Sequence, residues 1–289
     1  MNYTIKNDTL NIEISSFGAE LQSIKKNNVE YLWQGDEKSW KNRATNIFPY
    51  VGRMQEGKYT YKGKTYEMGG HGLARHIDFL VDKIENNKII FKMVSTEETL
   101  KSYPFSFEYF IIYEIKDNTL FITSKVINKD NKPIYFGLGG HPGFITPLDS
   151  NLNFEDYYLE FDNCFKPNNI RVSEKGLITH KEPFLLKDDK ILNLTHSLFD
   201  NDALIFDNLS KGVTLKSDKD NKSVYVKYED MTYLGIWHTP KANVDFVCIE
   251  PWTSLPSRDG IIEDIEKQDN LICLDVNKEY ENTWSITIN

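Results

Sequence analysis

The chain has 289 residues, 40% of them hydrophobic, and a formal net charge of -9. A nucleic-acid partner is disfavoured because nucleic-acid-binding proteins usually carry a basic stripe, which this acidic sequence lacks. The first residues lack the apolar segment of an export signal, and no run approaches the roughly 18 apolar residues of a membrane-spanning helix, so we expect a cytoplasmic protein with no membrane partner.

Alternation of apolar and polar residues, which is typical of half-buried strands, begins at the N-terminus and recurs along the chain. The first predicted hairpin joins residues 3–6 and 10–14. The longest alternating run, residues 105–128, is divided by Asp117 and Asn118 into two long antiparallel strands. A helix of period 3.6 cannot produce this pattern.

Further strands are predicted up to the C-terminus, at residues 29–33, 58–61, 65–67, 157–161, 203–206, 212–216, 223–228, 233–237, 246–250 and 284–288. Short helical turns are predicted near residues 97–102, 194–199 and 260–266. The sequence shows no internal repeat, no linker and no alternation of strands with helices. It therefore predicts one all-β domain over residues 1–289, a large antiparallel β-sandwich.

Two stretches present an imidazole and a carboxylate in unusual surroundings. Residues 139–144, Gly-Gly-His-Pro-Gly-Phe, surround His141 with glycines and a proline, and we expect its side chain to project from a strand end. Residues 246–252 form an apolar run that reaches Glu250, where desolvation should raise the pKa of the carboxyl towards that of a general base. The structural alternatives are a Gly-rich turn with an incidental His and a Glu that caps a surface turn.

Two earlier stretches contain basic side chains. Arg43 and Arg53 bracket an apolar segment that contains Pro and Gly and is typical of a loop, although two unconnected surface arginines fit the same pattern. His71 lies among three glycines, with Arg75 following, and has little side-chain bulk beside it to pack against. An imidazole, a carboxylate and arginines suit proton transfer on a polyhydroxyl ligand.

The sequence gives no support to several other chemistries. Its three cysteines, Cys164, Cys248 and Cys273, are widely spaced and form no metal-binding motif, so no structural metal is expected. It contains no nucleophile elbow, no P-loop and no dinucleotide-binding glycine motif. Covalent catalysis, phosphoryl transfer and nucleotide cofactors are therefore not predicted.

These four stretches, in this order, resemble those of the aldose 1-epimerase (galactose mutarotase-like) family, most closely a shorter branch with His-Gly-Phe-Ala-Arg-type and Gly-Gly-His-Pro-type motifs. The likeness runs through nearly the whole chain. It implies a β-sandwich sometimes called a supersandwich, and the interconversion of hexose anomers without a cofactor. It also implies that His141 is the general acid and Glu250 the general base.

The resemblance further implies which residues bind the sugar. The family's hydroxyl-binding arginine falls on Arg53, and the His of its earlier His-Gly motif falls on His71. Its sugar-binding aspartate falls on Asp200, which fits the spacing slightly better, or on Asp202. Considered alone, an acidic turn before a strand is more simply structural.

This chain departs from the longer galactose mutarotases in ways that concern the substrate. Their Asn-Arg pair is replaced by Gly52 and Arg53, and the residue before the catalytic His is Gly140. Arg43 and Arg75 instead resemble arginines of hexose-6-phosphate 1-epimerases, and a guanidinium binds phosphate bidentately. The choice between a hexose and its phosphate stays open, as does that between a monomer and a homodimer.

Two alternatives come from other functional classes. A non-catalytic sugar-binding protein could use the same fold, and the domain could be a structural or interaction module. Having both His141 and Glu250 favours the enzyme, because a protein that only binds sugar has no need of the pair.

Overall fold

The computed structural model describes all residues, Met1–Asn289, and confirms an all-β fold. The strands, numbered along the chain, are β1 (Asn2–Lys6), β2 (Leu10–Ser15), β3 (Leu21–Lys26), β4 (Val29–Glu30), β5 (Ala44–Ile47), β6 (Lys58–Tyr61), β7 (Lys64–Glu67), β8 (Leu80–Ile84), β9 (Lys88–Val94), β10 (Phe107–Lys116), β11 (Thr119–Asn128), β12 (Ile134–Phe136), β13 (Gly139–Ile145), β14 (Tyr158–Phe161), β15 (Asn168–Val172), β16 (Ile178–Pro183), β17 (Ile191–Asn193), β18 (Leu204–Phe206), β19 (Gly212–Lys216), β20 (Val224–Lys227), β21 (Tyr233–Trp237), β22 (Phe246–Trp252), β23 (Ile272–Leu274) and β24 (Glu279–Ile288).

Helix is confined to short segments. They are α1 (Glu97–Ser102) and 3₁₀ turns at Gln55–Gly57, Ala74–His76, Phe154–Asp156 and His196–Phe199. The predicted α1 is confirmed: Thr96 and Thr99 cap its N-terminus, each accepting a hydrogen bond from the other's backbone N–H. None of the helices has the length and apolar character that crossing a membrane demands.

Most predicted strands are confirmed, and β10 and β11 pair along their full length as an antiparallel hairpin. Three details were wrong. The segment between Arg43 and Arg53, interpreted as a loop, contains the buried strand β5. The strand predicted at residues 29–33 is reduced to β4, because the chain then leaves that sheet and Leu32 forms an isolated bridge to Phe144. The helical turn predicted at residues 260–266 is absent, because Gly260 has a φ of +78° and Asp264 is held in a bridge to Thr60.

Two large antiparallel sheets form the sandwich. One has nine strands in the order β17-β14-β19-β20-β24-β11-β10-β9-β8, and the other has seven in the order β16-β15-β18-β21-β22-β13-β5. Smaller sheets are formed by β1-β2-β3-β4, by β6-β7 and by β12-β23.

An apolar core of 60 buried residues lies between the inner faces of the two large sheets and also includes residues of β1–β3. Phe48, directly after β5, stacks on Tyr109 of β10 with ring centroids 4.2 Å apart. Asn46 of β5 donates a hydrogen bond to the hydroxyl of Tyr113 at 3.1 Å. Because side chains alternate along a strand, the neighbours of these inward residues point to the outer face of the seven-stranded sheet. That outer face carries the candidate site.

Candidate active site

His141 and Glu250 form a cross-strand pair in the middle of the seven-stranded sheet. The register that pairs Gly139 of β13 with Trp252 of β22 places them directly opposite each other on these antiparallel strands. The Nε2 atom of His141 lies 3.2 Å from Oε2 of Glu250. The expectation that His141 projects from a strand end is wrong. Both residues lie inside strands that have a hydrogen-bonded neighbour on each side, which fixes their backbones.

The glycines around His141 make room for tryptophans of the protein itself. A Cβ on Gly140 would lie 2.2 Å from Cζ2 of Trp284, which belongs to β24 of the facing sheet. A Cβ on Gly143 would lie 2.8 Å from Cζ3 of Trp40. Neither glycine has a positive φ. The alternative of a Gly-rich turn is therefore wrong, because these glycines serve packing inside a strand.

Burial governs where the proton of the pair resides. Desolvation, together with the charge of Asp202, raises the pKa of Glu250 well above its usual range. Desolvation, together with His71 and Arg75, lowers the pKa of His141 well below its usual range. Both shifts favour a neutral imidazole beside a protonated carboxyl. The raised pKa of Glu250 agrees with the prediction from the sequence.

The ion-paired arrangement is nevertheless within reach. At a separation of 3.2 Å the attraction between an imidazolium and a carboxylate is about 5 kcal/mol for an effective dielectric constant of about 20. That attraction offsets part of the several kcal/mol that desolvation costs for each of the two ions. The ion pair is therefore the less favoured placement of the proton, but it is not out of reach.

His71 is held as a neutral hydrogen-bond donor. Its φ is +62°, and its backbone N–H donates to the carbonyl of Gly52 at 2.8 Å. Its ring Nδ1 accepts from the N–H of Gly52 at 3.3 Å. Desolvation, with the charges of Arg75 and Arg53, lowers the pKa of His71 to about 3. Because Nδ1 is an acceptor, the neutral ring carries its proton on Nε2.

A cavity of about 670 Å³ adjoins the pair. Six of the residues singled out in the sequence line it together: Arg53, His71, Arg75, His141, Asp202 and Glu250. Sequence reasoning missed its aromatic walls, Trp40, Trp237 and Trp252. Trp252 directly follows the Glu-Pro dipeptide and could have been suspected, whereas nothing near Trp40 or Trp237 marks them.

Arg53 and Arg75 lack acidic partners. The arginines that do form ion pairs are Arg171 and Arg258, both outside this cavity. Burial lowers the pKa of Arg75, since desolvation disfavours its charged form. Arg53 is solvent-exposed and only approaches a backbone carbonyl, that of Lys175, at 3.4 Å. Both guanidinium groups are therefore free to bind a ligand.

Two of the predicted residues lie elsewhere. Asp200 follows the 3₁₀ turn His196–Phe199 and lines a different cavity. Asp202, with a φ of +75°, is the aspartate that reaches the cavity of the pair. The Nη1 of Arg43 donates to the carbonyl of Gln22 at 2.7 Å, and Arg43 does not line this cavity. The sequence spacing that favoured Asp200 could not show the backbone turn that directs Asp202, and not Asp200, to the cavity of the pair.

The imidazole of His141 ends a series of stacked rings. Trp40 lies against it with centroids 4.9 Å apart and planes inclined by 25°. Phe246 stacks on Trp40 at 5.5 Å, and Trp33 stacks on Phe246 at 4.6 Å. The Nε1 of Trp33 donates to the carbonyl of Trp40 at 2.8 Å, which closes the loop between them. The stack fixes the plane of the His141 ring.

Comparisons with known proteins agree with this architecture. Residues 1–263 match the family described as aldose 1-epimerase. "Protein LacX, plasmid" of Lactococcus lactis subsp. lactis is 31% identical, with 100% of this chain and 99% of that protein aligned. A galactose mutarotase related enzyme from Lactobacillus acidophilus superposes with a TM-score of 0.96 at 35% identity, covering 100% of this chain and 97% of that one. A galactose mutarotase-like protein from Lactobacillus casei ATCC 334 gives 0.95 at 28% identity, with both chains fully covered.

Proposed function

Because the chain belongs to the aldose 1-epimerase family, we propose that it interconverts the α and β anomers of a hexose by opening and reclosing the sugar ring. The observation that carries this proposal is the 3.2 Å separation of His141 and Glu250. The anomeric hydroxyl and the ring oxygen, which must exchange protons, are bonded to the same carbon. Only an acid and a base that are themselves neighbours can serve both oxygens at once.

In the proposed reaction Glu250 removes the proton of the anomeric hydroxyl while His141 donates a proton to the ring oxygen. The bond between C1 and the ring oxygen breaks and leaves the open-chain aldehyde. Rotation about C1–C2 presents the other carbonyl face, and the reverse transfers close the ring as the opposite anomer. This direction requires the proton of the pair on His141 at the start. Each well-placed transfer contributes about 10²–10⁴-fold to the rate.

The other residues of the cavity hold the sugar. The Nε2–H of His71 donates to a sugar oxygen, Arg53 donates to hydroxyls, and Asp202 accepts from one. Holding several hydroxyls keeps the open-chain intermediate in place until the ring recloses, which is a positioning contribution to the rate. We place this activity in the cytoplasm, in hexose metabolism, by a monomer or a homodimer.

A hexose 6-phosphate is the second candidate substrate. It is supported by the guanidinium groups of Arg53 and Arg75, which share the cavity and form no ion pair. Arg43 does not contribute to this support, because its guanidinium is turned towards Gln22. A non-catalytic sugar-binding protein is the remaining alternative.

Polarimetry of glucose, galactose and glucose 6-phosphate tests the proposal. The wild-type protein should accelerate mutarotation, and His141→Asn and Glu250→Gln should each slow it by about 100-fold or more. Circular dichroism controls for folding of the variants. Wild-type rates in either variant would refute the assigned roles. Binding of a sugar without any acceleration by the wild-type protein would establish the non-catalytic alternative instead.

A further inference from the structure

Cys248 lies beside the acid–base pair and has no part in the proposed reaction. It precedes Glu250 by two residues in β22, so both side chains point to the outer face of the sheet. It pairs with Gly143, whose missing side chain leaves the sulfur close to β13: a Cβ there would lie 3.4 Å from Sγ. The thiol is fully buried and forms no disulfide.

One ligand atom each from Cys248, His141 and Glu250 lie within 4.8 Å of one another. Apart from the 3.2 Å approach of His141 Nε2 to Oε2 of Glu250, Oε2 and the Nδ1 atom of His141 are buried and have no hydrogen-bond partner within the protein. Such atoms are uncommon in folded proteins and call for a partner. A sugar can reach the carboxylate and the imidazole from the cavity, whereas Cys248 packs beside Val244 and Phe246 and does not line that cavity.

The donor set identifies the ion that would fit. Thiolate sulfur, imidazole nitrogen and carboxylate oxygen are the ligands of Zn²⁺, and three protein ligands with an open fourth position are common in its sites. Mg²⁺ and Ca²⁺ prefer oxygen ligands only. Bonds of about 2.0–2.3 Å place tetrahedral ligands about 3.3–3.8 Å apart, so the cluster needs to contract by about 1 Å. Because stacking on Trp40 fixes the plane of the His141 ring, rotation of the Cys248 and Glu250 side chains has to supply that distance.

We propose that Zn²⁺ binds to Cys248, His141 and Glu250 and, by occupying the acid–base pair, excludes the sugar. The site takes the ion with loss of the thiol proton and of any proton on the pair. Thiolate and carboxylate then face the ion with two negative charges. The metal-binding part of the proposal is independent of the proposed function, and only the inhibition rests on it.

Calorimetry with ZnCl₂ on EDTA-treated protein measures binding, and Co²⁺ is a spectroscopic probe because a cobalt–thiolate bond absorbs in the near ultraviolet. We expect a single ion per chain and a thiolate band with the wild-type protein. Cys248→Ser should lose the band and bind Zn²⁺ at least about tenfold more weakly. A Cys164→Ser/Cys273→Ser variant is the matched control: it removes the two exposed thiols and should keep both signals.

The outcomes separate this site from the proposed function. Zinc binding that depends on Cys248 in a protein without mutarotase activity would sustain the site and refute the function. Mutarotase activity in a protein that does not bind Zn²⁺ would support the proposed function and refute the zinc site. A cobalt band that persists in Cys248→Ser but disappears from the surface-thiol variant would overturn the site, since the ion would then be held by the exposed cysteines.

Discussion

Replacing Gly140 by Ala tests the close approach of the two large sheets directly behind His141 and Glu250. The added Cβ would lie 2.2, 2.9 and 3.0 Å from three atoms of the Trp284 ring. Trp284 is only 4% exposed and belongs to β24, which has neighbours on both sides in the nine-stranded sheet. Neither the ring nor the strand that carries Gly140 can move aside freely.

The expected cost follows from this overlap. Overpacking of a core by a methyl group costs about 1–3 kcal/mol. Because Gly140 is on a central strand and the opposing atoms belong to a buried ring, we expect a cost near the upper end of that range. Some of the strain should be relieved by a shift of β13. Since His141 is the next residue, that shift would also disturb its 3.2 Å approach to Glu250 and reduce kcat.

Urea denaturation followed by tryptophan fluorescence measures the loss of stability. The matched control is Gly69→Ala, because a Cβ added to Gly69 would meet no heavy atom within 4 Å and this glycine has no positive φ. Its variant should stay within about 0.5 kcal/mol of wild type. Trp284→Phe removes the opposing ring atoms, so the double variant should lose less stability than the two single variants together. A wild-type unfolding midpoint for Gly140→Ala would refute this account of the packing.

Three further predictions concern the site and its surroundings. The free energy of unfolding should fall as the pH drops from about 6.5 to about 4, by about 1.4 kcal/mol per pH unit for each of two histidine rings. The reason is that the native fold lowers the pKa of His71 to about 3 and that of His238 to about 4, whereas in the unfolded chain these rings bind a proton below about pH 6.5. Urea titrations at pH 7 and pH 5 measure the difference in stability, and equal stabilities would contradict the prediction. Trp40→Leu should lower kcat about two- to tenfold, since one aromatic stack contributes about 0.5–1.5 kcal/mol, while Trp40→Phe should recover most of the rate in polarimetry. Asp202→Asn should raise KM for the sugar, whereas Asp200→Asn should not. The reverse result would indicate that the sugar binds in the other cavity, which Asp200 lines.

The sequence was sufficient for what depends on local patterns. Alternation predicted the long hairpin of β10 and β11, and unusual residue combinations drew attention to His141 and Glu250, which lie side by side in the structure. The sequence could not show the features of the site that depend on pairing and packing between strands that are distant along the chain. Only the register of β13 against β22 turns two separate motifs into a cross-strand pair, and only the packing of β24 explains why Gly140 must lack a side chain.

His141 and Glu250 lie within strands of the sheet, whereas the residues proposed to bind the sugar lie on loops. Inside the sheet, desolvation of two ionisable groups is costly, but neighbouring strands fix both backbones, so little backbone reorganisation is needed during the proposed proton transfer. Arg53, His71 and Asp202 lie outside the strands, on connecting segments around the cavity. Loops tolerate substitution better than a central strand does. Under the proposed function, changes of substrate, such as that between a hexose and its phosphate, are therefore expected to arise in these segments while His141 and Glu250 stay the same.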